Sequence, residues 1–278
     1  MQIAPDHNAP LRLFWWKGVP NFGDALSALV VESVSGREVV HSGPMSCDLL
    51  AIGSLIQVMR RKYQEAPKDG HRPVIWGAGL LHSVPRDFLK FVDVALVRGP
   101  VTAALLGLQP RLFGDPGLLA DKVIGPLPER QDRVVLVPHH SMIDDPALSL
   151  LIQSEPAIEL VDPRGDALDV CRRIASARHV IAASLHGLIV ADACGVPSTW
   201  LAPGEQALLK YHDYAASIAR SMVNPLLIED VPDLLRNLRD GDTIAHAEGI
   251  ARAREDLLST FPAHFRAFDQ TPRDRAQA

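Results

Sequence analysis

The sequence predicts an α/β protein of two Rossmann-like units, each a parallel sheet with helices on both faces. Short apolar runs alternate with longer segments of helical spacing along most of the chain. The strand-like runs are apolar throughout, as expected of strands covered on both sides. One segment rich in proline and charge, Gly125–Asp132, divides the alternation into two series and reads as a linker. The 278 residues are enough for two modest lobes. The expected division is 1–127 for the first, 128–242 for the second, and 243–278 for a C-terminal helix that packs back and ends in a frayed tail.

In the first series, Leu11–Trp16 reads as a strand and Ala25–Val34 as its helix. Asp48–Ile52 and Leu55–Lys62 form the next strand–helix pair, and Val74–Trp76 a short buried strand. Val94–Val97 is followed by a helix over Val101–Leu108, with Pro100 in the first turn, where a missing N–H costs nothing. In the second series the strands are Val134–Val137, Ile158–Val161 and Val180–Ala183, with helices over Ala147–Gln153, Ala167–Ala177 and Leu188–Cys194. Asp166 is placed to cap the middle helix, and Gly195 with Pro197 to stop the last. Thr199–Leu201 and Pro225–Ile228 close the series, and Lys210 falls in a loop. Over Thr243–Phe261, Ile250, Leu257, Leu258 and Phe261 share one helical face. Gln270–Ala278 reads as frayed.

Composition narrows the functional classes. A net charge of −5 argues against a general nucleic-acid binder, so any anion must be held by a local cluster. Met1–Pro10 lacks the basic start and apolar run of a secretory signal, and no stretch approaches a membrane span. Cys47, Cys171 and Cys194 are isolated, which fits a reducing cytoplasm better than a disulfide framework or zinc site.

In open parallel sheets, ligands bind beyond the carboxyl ends of the strands. There the chain places Asn21-Phe22-Gly23-Asp24, Gly53-Ser54, Gly77-Ala78-Gly79, Arg98-Gly99-Pro100 and Gly114-Asp115-Pro116-Gly117. The second unit adds Pro138-His139-His140 and Ser184-Leu185-His186-Gly187. If the units face each other, these turns line one cleft. Each also has a plain structural reading. Asn21 to Asp24 can cap a helix, Asp115 can be a local turn acceptor, and His139 and His140 can be surface residues without metal-site spacing. Gly77-Ala78-Gly79 lacks the third glycine of a dinucleotide loop, since position 82 is His82, so a tight turn is favoured. His186 combines a strand end, a helix start behind Ser184 and a small glycine, a setting suited to an anion. Arg98 either points into the cleft or pairs with an acid in the core; its fork matches a carboxylate or phosphate.

Taken in order, these turns, with Lys210-Tyr211-His212-Asp213-Tyr214, resemble the polysaccharide pyruvyltransferase family over roughly residues 14–216. The ketal-forming members of succinoglycan and xanthan assembly are the nearest in kind. No single motif is specific; their order is. The resemblance implies a glycosyltransferase-B-like fold, two lobes facing across a cleft, with phosphoenolpyruvate as co-substrate and no cofactor or metal. It carries catalytic roles onto His186 and Asp24, and donor binding onto Arg98 and Lys210; the helix start at Ser184 and Gly187 is expected to aid donor binding with its N–H groups. Asn21, Gly23, Ser54, Gly77, Asp115, His139 and Asp213 are expected to line the cleft. Some members carry arginine two residues before the histidine, where this chain has Ser184, so anion binding leans more on Arg98, Lys210 and the helix end.

The implied reaction transfers pyruvate to two hydroxyls of an exopolysaccharide sugar as a cyclic ketal. His186, protonated once the donor is bound, delivers a proton to the methylene carbon, and Asp24 serves as base or positions the hydroxyl. A lipid-linked oligosaccharide or polysaccharide acceptor is implied, with peripheral contact at the inner face of the inner membrane. Two rival readings stay open: a nucleotide-sugar-dependent glycosyltransferase and a non-catalytic sugar-binding subunit.

Overall fold

The computed structural model describes residues 9–67, 70–222, 224–239 and 243–267. It contains two separate parallel sheets. The first is built from β1 (Leu11–Phe14), β2 (Val39–His41), β3 (Leu49–Leu50), β4 (Val74–Trp76) and β5 (Asp93–Leu96), in the spatial order β2-β1-β3-β4-β5. The second uses β6 (Gln131–Val137), β7 (Ile158–Leu160), β8 (Ala177–Ala182) and β9 (Ser198–Trp200), in the order β7-β6-β8-β9. Every strand pair in both sheets is parallel. The helices are α1 (Phe22–Ser35), α2 (Ile56–Lys62), α3 (Pro100–Leu106), α4 (Ala120–Ile124), α5 (Pro146–Ser154), α6 (Ala167–Ala175), α7 (Leu185–Ala193), α8 (Leu209–Ser217), α9 (Val231–Asn237) and α10 (Ala247–Thr260). The two sheets with their helices form two Rossmann-like lobes.

Strand periodicity explains how the lobes share a core. Alternate side chains of a strand point to opposite faces. Leu11 and Leu13 of β1 and Val74 and Trp76 of β4 enter a central cluster, while Phe14 and Ile75 enter a separate outer one. In the second sheet Val135 and Val137 join the central cluster, and Val134 and Leu136 a third one outside. Helix α1 completes the centre with Phe22, Leu26 and Val30, spaced four apart on one face. It packs on α4 as well as on α6 and α7, so it belongs to both lobes by contact.

Several boundaries differ from expectation. Gln131 and Asp132, expected in the linker, already belong to β6. β2 was not foreseen: Val39 and Val40 are only half-buried at the sheet edge and present little apolar signal. Pro225–Ile228 is not a strand; one bridge pairs Leu226 with Leu201, and a 3₁₀ turn follows over Ile228–Asp230. Lys210 sits in the first turn of α8 rather than in a loop.

The chain's end returns to the first lobe. In α10, Gly249, Ile250, Ala253 and Leu257 are buried. The Trp76 indole N–H donates to the Leu257 carbonyl (3.1 Å), and Arg254 pairs with Asp121 (2.6 Å). Of the segment Met1–Pro10, expected to lack a secretory signal, Met1–Asn8 lies outside the described residues, as does Gln270–Ala278, expected to fray. No helix among the described residues is long and apolar enough to cross a membrane.

Candidate active site

Each sheet reverses its winding direction once, between β1 and β3 in the first and between β6 and β8 in the second. Loops leaving adjacent strands at such a point splay apart and leave a crevice at the carboxyl ends. Here the two crevices open into one cavity of about 330 Å³. Asn21 and Asp24 reach it from beyond β1, Ser54 from beyond β3, His139 from beyond β6, and Ser184 and His186 from beyond β8. Arg98 arrives from beyond β5, and Lys210 from α8. Arg98 of the first lobe and His186 of the second therefore border the same space.

Arg98 is fully buried, and its fork is spent on fixed partners. Its Nε donates to Asp213 (3.0 Å), Nη1 to the Ser54 hydroxyl (3.0 Å) and Nη2 to the Leu80 carbonyl (3.0 Å). Both alternatives read from sequence hold: it borders the cleft and it pairs with a core acid. Asp213 also accepts from the backbone N–H (2.8 Å) and hydroxyl (2.7 Å) of Thr102. Lys210 and Asp213 are three residues apart on α8, hence on one face, so one helix supplies a cleft cation and the anchor of another. A Cβ on Gly79 would fall 2.3 Å from Arg98 Cζ, so this glycine exists to seat the guanidinium.

His186 depends on a glycine in the same way. A Cβ on Gly23 would lie 1.9 Å from its Nδ1. Asn21 caps α1 through the Gly23 N–H (2.9 Å), which fixes Gly23 against the ring and Asp24 in the first helical turn. The imidazole Nε2 is buried with no partner.

Five expected site residues are not part of the cavity lining. Gly23 acts from behind, as above. Asp213 is behind Arg98. Gly187 is not a free anion donor: its N–H goes to the Ser184 hydroxyl (3.4 Å), and it packs on Val137 and Ala182. Gly77, at φ 87°, makes room for the Pro116 ring rather than for a ligand. Asp115 caps the turn Pro116–Leu119 through the Gly117 N–H (2.9 Å), and burial pushes its carboxyl up to about 6.

The family model for polysaccharide pyruvyl transferase matches residues 5–205. This chain belongs to that family. It is 32% identical over 216 residues to the succinoglycan biosynthesis protein ExoV of Rhizobium meliloti (strain 1021), over 74% of this chain and 64% of that protein. The match thus spans somewhat under two thirds of that relative's length. It is also 25% identical over 225 residues to an uncharacterised protein, L143, of Acanthamoeba polyphaga mimivirus, over 75% of this chain and 74% of that one. Among solved structures it is similar to a UDP-GlcNAc 2-epimerase of Methanocaldococcus jannaschii at 9% identity, with a TM-score of 0.48, over 88% of this chain and 98% of that one.

In this pyruvyl transferase family member the cavity's cations and burial act together on its titrating groups. Burial, then Lys210 and Arg98, push His186 down to about 3, so it is neutral at pH 7. Burial pushes Asp24 up to about 7 against the pull of Lys210. Lys210 is lowered to about 8 by burial and Arg98, with Asp24 opposing. His139 falls to about 4 through burial, Lys210 and His140; its Nδ1 faces the Ser141 hydroxyl (2.8 Å).

Sequence reasoning missed part of the lining. Trp16, Leu55, Gln57, Val58, Arg61 and Leu81 also line the cavity, and no motif announced them. The one available signal was Gln57, a polar residue inside the apolar run Leu55 to Met59. His140, in a turn expected at the cleft, also borders the cavity, against the alternative of a surface position.

Proposed function

We propose that this protein transfers a pyruvyl group from phosphoenolpyruvate to two hydroxyls of one sugar in an exopolysaccharide precursor. The observation that carries the reading is the convergence of Arg98, Lys210, Asp24 and His186 on one cavity between the lobes. The donor brings a phosphate and a carboxylate. Lys210 and the edge of the Arg98 guanidinium supply the opposing charge in a water-poor site, where Coulomb attraction is strong.

The proton roles follow from magnitudes. Asp24, at about 7, carries a proton half the time before any donor binds. For His186, at about 3, to be equally protonated at pH 7, the donor must raise it by four pH units. That costs on the order of 5 kcal/mol. We therefore assign the proton for the methylene carbon to Asp24, and the hydroxyl proton to neutral His186, whose basicity rises beside the donor's charges. This reverses the order expected from sequence.

Protonation breaks the C2–C3 π bond and leaves C2 with oxocarbenium character. One hydroxyl attacks C2 and gives its proton to His186. The second forms the other C2–O bond as the C2–O bond to phosphate breaks, and its proton leaves with the phosphate. The proton on His186 then restores Asp24, so no oxidant or reductant enters the balance.

The test is incubation with phosphoenolpyruvate and lipid-linked oligosaccharide acceptors, with mass analysis of the sugar. A pyruvyl ketal with stoichiometric phosphate release is expected. Glycosyl transfer from a sugar nucleotide in its place would support the rival enzyme, and sugar binding without phosphoenolpyruvate consumption the non-catalytic subunit.

A further inference from the structure

The cavity lining holds two chemically different sets of residues. Asp24, Arg98, Lys210 and the histidines are charged or titratable. Trp16, Leu55, Gln57, Val58 and Leu81, all from the first lobe, are neutral, with Arg61 as the one charge among them. We propose that this neutral set forms a subsite for a pyranose ring, with the Trp16 indole as its stacking platform and the Gln57 amide as its hydroxyl reader.

Gln57 is the decisive residue. It is only 7% exposed, and both Oε1 and Nε2 are buried without a hydrogen-bond partner. A buried amide left unpaired is costly, so native folds pair such groups or keep them for a ligand. Its amide offers one acceptor and two donors side by side, the complement of two neighbouring hydroxyls, each of which both gives and takes a hydrogen bond. Arg61 lies one helical turn further along the same face of α2. Trp16 is 46% exposed, unusual for a residue so apolar. The backbone at Gly18 curls against its ring; a Cβ there would lie 2.7 Å from the indole. The Gly18 backbone thus packs against the indole, which also borders the cavity. An apolar face beside a neutral amide suits a polyol, whose C–H face is apolar and whose rim is polar; it does not suit a second anion.

The inference rests on the reaction above, for which it supplies the acceptor's place. Its test uses the full chain with methyl β-D-glucopyranoside and methyl β-D-galactopyranoside, followed by saturation-transfer NMR. Phosphoenolpyruvate binding is measured in parallel by calorimetry. Trp16→Ala and Gln57→Leu are each expected to weaken the glycoside at least about tenfold, roughly the loss of one good contact, with phosphoenolpyruvate affinity unchanged. Gln57→Leu should also keep or raise the melting temperature, because it removes an unpaired buried amide. The subsite is overturned if neither glycoside binds, if both variants bind as the parent does, or if phosphoenolpyruvate weakens in step. It is also overturned if Trp16→Ala mainly loses uridine diphosphate, since the indole would then stack on a base. Glycoside binding that depends on Trp16 without any pyruvyl transfer would sink the reaction and leave the subsite standing. Transfer with unaltered acceptor KM in both variants would do the reverse.

Discussion

Asp24 is held near its protonation midpoint at neutral pH by two opposed effects, burial raising its carboxyl and Lys210 lowering it. A general acid must carry its proton before the reaction, and this carboxyl is protonated below about 7 and ionised above. Activity should therefore fall as pH rises through that value, and loss of the Lys210 charge near 8 steepens the fall. A kcat/KM profile that stays level from below to above neutrality would remove Asp24 from the acid role. At Gly23 the limit is steric. Gly23→Ala drives a methyl into His186, and a displacement of the order of 1 Å costs about 10²-fold in rate. Urea stability should change far less than kcat; an unimpaired kcat would show that the imidazole has no fixed place. Arg98 and Asp213 are both 0% exposed. Asp213→Ala leaves a buried guanidinium without its counter-charge, a loss of about 3–5 kcal/mol. Urea unfolding would measure it, and a midpoint near that of the parent would refute the account.

At the scale of elements, α8 and α10 explain most of what pattern reading missed. The only large apolar side chains of α8 are Leu209, Tyr211 and Tyr214, set among Lys210, His212 and Asp213, so no clear amphipathic stripe announces a helix. Two of its buried polar side chains are satisfied by partners far along the chain: Asp213 by Arg98 and Thr102, Tyr214 by Asp192 (2.7 Å). By contrast, α10 was legible because Ile250 and Leu257 lie seven apart on one face; its destination was not. Leu257 is fully buried, and its side chain sits where a Cβ on Gly114 would come within 2.8 Å. Leu257→Ala should cost about 2–5 kcal/mol, the range for emptying a leucine-sized core site. A shift in the urea midpoint of less than half that would mean that α10 only rests on the first lobe.

For the whole molecule, the central cluster draws side chains from both sheets, from α1 and from α10. A core shared in this way gives neither sheet an independent inner face. Backbone amides of β1 and β6 should therefore exchange through one global opening, with a common free energy in native-state hydrogen exchange. Two distinct opening energies, one per sheet, would show that the lobes unfold separately. The sequence by itself determined the α/β class, the order of most strands and helices, and the polar turns at the strand ends, because periodicity and glycine–proline punctuation are local properties. Only the tertiary structure decided which turns share a cavity, that Asp213 and Gly79 act through Arg98 and Gly23 through His186, and that Trp16 and Gln57 border the same space. Those relations join residues up to more than a hundred positions apart, and burial, which sets the protonation of Asp24 and His186, exists only once both lobes close on the same space.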